Sequence, residues 1–191
     1  MKHLFFIILM AFATISTAQE TSFICGSGSK TLTASATGGT APITYTWTSP
    51  SAVVTTGATV TASAAGVWTW NATDANGCTA TGTHTLTIEP DPTAGITINA
   101  TNSCVGANQT ISATGVPAGY TYSWNFGTGA SPATSTSASA SVTYSTTGTK
   151  TITLEISKAF TGSINGCSAT CTWTKTTTIT IGNLTGSSSC S

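Results

Sequence analysis

Charge is nearly missing from this 191-residue chain: Lys, Arg, Asp and Glu together make up 5% of it, arginine does not occur, and the formal net charge is zero. A nucleic-acid-binding surface neutralises phosphates with Lys and Arg, so that class of partner is excluded, and steering toward acidic partners lacks residues for the same reason. Histidine is scarce too. His84 is the only one beyond the N-terminal segment, and the acids there are Glu20, Asp74, Glu89, Asp91 and Glu155. A general base needs a nucleophile and an orienting group, and no nucleophile-elbow pattern or zinc spacing marks either. The chain reads as no enzyme, with no catalytic residue, cofactor or metal site, and His84 as a sheet histidine in the run Thr83 to Ile88. A second long apolar run is also lacking. Lys2 and His3 open the chain, Leu4 to Ala13 is apolar, and Ser16-Thr17-Ala18 offers a small-x-small cleavage site. Residues 1–18 thus read as a cleaved signal peptide, and the mature chain as having no membrane span.

What is present is threonine in alternation with apolar residues. Ile43 to Trp47, Val67 to Trp70, His84 to Ile88, Thr149 to Leu154 and Thr178 to Ile181 all repeat with period two, the mark of half-buried antiparallel strands. Gly, Asn, Asp and Pro punctuate them at sandwich-like intervals. Five Trp and a zero net charge argue for folding over disorder.

The plan occurs twice. Cys25, Leu32-Thr33-Ala34, Tyr45-Thr46-Trp47, a strand opened by Gly66 and Asn76-Gly77-Cys78 are answered by Cys104, Ile111-Ser112-Ala113, Tyr122-Ser123-Trp124, a strand opened by Gly148 and Asn165-Gly166-Cys167. Between the copies, Glu89-Pro90-Asp91-Pro92 interrupts strand pairing. The expected organisation is all-β: a β-sandwich domain over residues 19–89, a Pro-rich linker at 90–92, a second β-sandwich over 93–183 and a tail at 184–191. A secretory leader places the six cysteines in an oxidising compartment, where an even number reads as disulfides. Equivalent positions in the repeat suggest Cys25 with Cys78 and Cys104 with Cys167, each loop contributing roughly 4 kcal/mol. Cys171 and Cys190 remain for the C-terminal end, although six cysteines allow about fifteen connectivities.

These residues carry a resemblance. Pro42 to Trp47 and Ala65 to Cys78 resemble the immunoglobulin-like repeats of bacterial gliding-motility surface adhesins. Trp124-Asn125-Phe126-Gly127-Thr128-Gly129, with Val142 to Ser145 and Gly148 to Leu154, is similar to the W-D-F-G-D-G motif of polycystic-kidney-disease (PKD) domains. The resemblance implies two tandem immunoglobulin-like (PKD-like) domains acting as spacers, adhesive repeats or partners of an enzyme. Asn125 and Thr128 stand at the motif's acidic positions, which removes the carboxylates a calcium ion prefers, and Lys150 stands at a usual aromatic position.

Partner expectations follow from the strand faces. Trp47, Trp68, Trp70 and Trp124 lie on apolar faces and read as core, whereas Trp173 is the candidate ligand-contact ring for a carbohydrate-binding module. Threonine rows could order water or carry glycans, and more simply keep a strand face soluble. The strand Thr172 to Ile181 has few charged residues and is open to pairing with another chain. The expected function is structural or adhesive, secreted to the extracellular space or cell surface. Its partner would be a second copy in an oligomer, fibre or layer, or else a cell-surface or polysaccharide partner.

Overall fold

The computed structural model describes residues 20–164, 167–185 and 189–190, with side chains described over 20–160 and 170–183. The predicted signal peptide, 1–18, lies outside them. The chain divides into two compact units, one ending at Ile88 and the other beginning at Glu89.

In the first unit the strands are β1 (Glu20–Cys25), β2 (Lys30–Thr33), β3 (Thr44–Thr48), β4 (Val54–Thr56), β5 (Thr59–Ala62), β6 (Gly66–Thr73) and β7 (Thr79–Glu89), whose last residue, Glu89, already belongs to the second unit. They form a sheet of order β1-β7-β6-β3-β4 and a two-stranded sheet β2-β5. The inward residues of both sheets meet in one core of Leu32, Ala34, Trp47, Val60, Ala62, Trp68 and Leu86. Trp47 is fully buried, and losing such a ring typically costs about 3–5 kcal/mol.

The second unit opens with a 3-10 turn (Thr93–Gly95), in which Asp91 Oδ1 accepts the Thr93 N–H at 2.8 Å. Then come β8 (Thr97–Asn99), β9 (Ser103–Cys104), β10 (Gln109–Thr114), β11 (Thr121–Asn125), β12 (Ala130–Ser131), β13 (Thr134–Ser135), β14 (Ser139–Tyr144), β15 (Gly148–Ile164) and β16 (Cys167–Gly182). One sheet runs β12-β14-β10-β8 and the other β13-β11-β15-β16-β9. The tail predicted at 184–191 contains a small hairpin of β17 (Leu184–Thr185) and β18 (Ser189–Cys190). The five-stranded order repeats that of the first unit, with β11, β15 and β16 in the places of β3, β6 and β7, so Trp124 and Trp47 occupy equivalent strands. Trp124 stacks on Phe126 at 5.7 Å and donates Nε1–H to the Ser137 carbonyl at 2.9 Å. The buried Tyr144 hydroxyl donates to the Phe126 carbonyl at 2.8 Å.

The PKD-like motif is a turn. Asn125 Oδ1 accepts the Gly127 N–H at 2.9 Å, so its short side chain shapes the backbone rather than facing an ion. Gly127 has φ of +81°, and a Cβ there would sit 2.8 Å from the Thr151 carbonyl oxygen, which only glycine avoids.

The Cys25–Cys78 pair predicted from the repeat does not hold. Cys78 carries a free thiol in an exposed turn, while Cys25 is disulfide-bonded. The reason is local: the Asp74 carboxylate accepts the Cys78 and Asn76 N–H groups at 2.8 and 2.9 Å, holding Cys78 in the β6–β7 turn. Cys104 and Cys171 are also disulfide-bonded. Cys104 lies beside Gly182 at the end of β16, and Cys167 is the first residue of that strand. A strand of this length spans about 50 Å, whereas bridged Cα atoms lie within about 7 Å, so the register does not suit the predicted Cys104–Cys167 pair. The side chains of Cys167 and Cys190 lie outside the described residues.

Two further expectations shift. Trp70, read as core, does pack against the core of the first unit but is only half-buried, its ring tilted against Tyr45 at 6.5 Å and lying over Gly82. Lys150 fills its aromatic position by burying its stem: it is 4% exposed, its Nζ donates to Thr146 Oγ1 at 2.7 Å, and it stands 5.9 Å from the Tyr144 ring centroid. A long aliphatic stem can line a core while its ammonium reaches an acceptor at the margin.

Candidate functional site

The outer faces of the two five-stranded sheets are threonine grids. In the first unit, cross-strand registers align Thr48 with Thr69 and Thr83, Thr46 with Asn71 and Thr81, and Thr44 with Thr73 and Thr79. In the second, Thr149 pairs with Thr180, Thr151 with Thr178 and Thr153 with Thr176, and Glu155, opposite Thr174, is the one charge on these two strands' outer face. Strand geometry spaces such hydroxyls by about 4.8 Å across strands and about 6.7 Å along them. The alternation read from the sequence produces this pattern directly, because every second residue of a strand faces the same way. Chemically, the grids offer neutral donors and acceptors over a wide area and exert little long-range field.

Trp173 sits on the inward face of β16 and is half-buried, packed on the core of the second unit. Its ring lies 5.7 Å from that of Tyr120 and is tilted 48° to it. The two rings therefore do not form the flat platform on which a sugar face stacks. Polar neighbours there satisfy one another. Tyr120 donates its hydroxyl to Glu89 Oε1 at 2.7 Å, and Lys158 Nζ donates to the same oxygen at 2.7 Å. Lys158 also lies over the rings of Tyr120 and Phe160 at 5.4 and 5.3 Å. The bonds from Lys158 and Tyr120 hold the Glu89 carboxyl below the usual range. Burial, and then the bond to Glu89, push the Tyr120 phenol up to about 12. Lys175 Nζ donates to the Thr93 carbonyl at 2.9 Å. Sequence reasoning missed this cluster because Glu89, Tyr120, Lys158 and Trp173 are far apart in the chain.

It also missed the surroundings of His84. Its Nε2 lies 2.8 Å from Ser22 Oγ, and its Nδ1 lies 3.1 Å from Glu20 Oε2. The connectivity is that of a serine–histidine–carboxylate triad, but accessibility rules out the chemistry. Ser22 is 2% exposed and His84 6%, so a substrate carbonyl has no approach to the hydroxyl. The trio instead satisfies polar groups where β1 lies beside β7 in the sheet. Burial, opposed by the Glu20 charge, lowers the His84 pKa below its ordinary value. Among the described residues no three His, Cys, Asp or Glu side chains converge on a point where a metal could bind.

Comparison with known proteins bears on the second unit most directly: residues 95–165 match the model of the PKD domain. No curated protein matches the chain. Among solved structures, the chain is similar to the N-terminal four immunoglobulin domains of Dscam1 isoform 4.4, with 13% identity and a TM-score of 0.33 over 88% of this chain and 44% of that one. Similarity to murine CEACAM1b has 11% identity and a TM-score of 0.34, covering 85% of this chain and 96% of that one. For the extracellular portion of mouse CD200RLa the values are 12% and 0.35, covering 86% and 100%. The chain spans less than half of the Dscam1 structure.

Proposed function

We propose that this is a non-catalytic structural or adhesive protein of a bacterial surface. It is secreted by cleavage of residues 1–18 and built from two tandem modules, residues 19–89 and 93–183, and it associates with itself. The observation that carries this reading is the pair of threonine grids on the outer sheet faces, neutral and wide. The disulfide-bonded Cys25, Cys104 and Cys171 support an oxidising location. The PKD match over residues 95–165 supports an immunoglobulin-like module of the spacer or adhesive kind. The tilt between Trp173 and Tyr120 weighs against the rival carbohydrate-binding reading.

The test is to locate the mature chain in producing cells with an antibody and to measure its mass by light scattering, with and without reductant. The expected result is protein outside the cells, starting at Gln19 and self-associated. Protein retained inside the cells, or loss of binding to an insoluble polysaccharide in a folded Trp173→Ala variant, overturns the reading.

A further inference from the structure

We infer that the open edge of β16 is a homophilic seam, at which two copies of this chain join as antiparallel strands about a two-fold axis at Thr176. This rests on the self-associating reading above and names its surface.

The register shows which backbone groups are available. The Thr180 N–H donates to Asn102 Oδ1 at 2.8 Å, and the Gly182 carbonyl accepts the Val105 N–H at 3.0 Å. Both partners belong to the segment around β9, on the side away from β15. Alternate residues of a strand direct their backbone groups the same way, so Thr174, Thr176 and Thr178 also present N–H and C=O away from β15. The short β9 pairs only with Ile181 and Gly182, leaving no strand beside those three threonines among the described residues.

The first unit shows what such an edge accepts. There the equivalent strand, β7, has the six-residue β1 beside it. In the second unit the same place holds only the two residues of β9.

The β16 edge is also unprotected. Natural sheets blunt exposed edges with Lys, Pro or bulges, but Thr172 to Thr180 contains no proline, and its one charged residue, Lys175, faces the other way to reach the Thr93 carbonyl.

A second copy fits this edge by symmetry. Antiparallel pairing about Thr176 sets Thr174 opposite Thr178 and Thr176 opposite itself, continuing the Thr–Thr pairs already made with β15. The chain's zero net charge gives the copies no general repulsion. The two Glu155 carboxylates would lie roughly 20 Å apart by strand spacing, beyond the screening length of about 8 Å.

The experiment uses the mature chain and two charge-bearing variants, Thr174→Lys with Thr178→Lys and Thr174→Glu with Thr178→Glu. Both sites are exposed, and an unchanged melting curve confirms each fold. The wild-type chain is expected at twice the monomer mass or a multiple of it. Each variant alone should lose that doubling, because like charges face each other across the seam, and an equimolar mixture should regain it as Lys meets Glu. Wild-type mass retained by the lysine variant overturns the seam and leaves self-association standing. A mixture that stays monomeric while both variants are folded overturns the antiparallel register. A wild-type chain that is single at every concentration removes both the seam and the self-associating reading.

Discussion

The imidazole Nε2 of His84 lies 2.8 Å from the Ser22 hydroxyl, with both residues buried. Burial lowers the pKa of His84 in the folded state below the ordinary value of about 6.5 that it regains on unfolding. Between the two values the unfolded chain binds the proton more readily, so stability is complete above pH of about 6.5 and is lost as pH falls through the folded value. Thermal melts should show the midpoint dropping from pH 7.5 to pH 5, and His84→Gln should flatten that part of the profile. The carboxyls of Asp74, Glu89 and Asp91, held low by hydrogen bonds, lose their contribution in a separate window below about pH 4.

The Lys150 ammonium donates to a hydroxyl, Thr146 Oγ1, at 2.7 Å. Thr146→Ala leaves a buried ammonium without that acceptor, and the expected loss is about 1–3 kcal/mol in urea unfolding. Lys150→Met keeps the stem and removes the charge, so the double variant should recover most of that loss. Equal destabilisation by the single and double variants would show that the bond is unimportant.

Gly82 faces Trp70 across the β6–β7 ladder, and a Cβ at that position would lie 2.5 Å from the indole. Gly82→Ala therefore displaces the ring. A cost of about 1–3 kcal/mol is expected, accompanied by a change in tryptophan fluorescence. In a Trp70→Ala background the same substitution should cost much less, a coupling that a double-mutant cycle measures.

Cys78 is exposed and free, whereas Cys25, Cys104 and Cys171 are bonded. Native, unreduced protein should take up a maleimide at Cys78, while those three react only after reduction. Peptide mapping that finds Cys78 unlabelled and linked to Cys25 would restore the pairing suggested by the repeat.

Local regularity made the strands readable. The alternation in Val67 to Trp70 and in Thr178 to Ile181 predicts which residues face inward, because a strand has period two whatever it packs against. Trp47 and Trp124 were legible as core for that reason. Trp70, on the same inward face, packs against the core but stays half-buried, since how deeply an inward residue sits depends on what packs over it from elsewhere in the chain. Cys78 misled because repeat symmetry predicts equivalent places, not which sulfurs meet.

By itself the sequence determined the all-β character, the twofold repetition of the plan, the threonine faces and the near absence of charge, each a property of neighbours along the chain. Only the tertiary structure decided the rest. It placed Ser22 and Glu20 on His84 and Glu89 between Tyr120 and Lys158, and among the described residues it set only the short β9 beside β16 where β7 has the longer β1. Those relationships join residues separated by many turns of chain, and they arise from strand order and register, which no local pattern encodes.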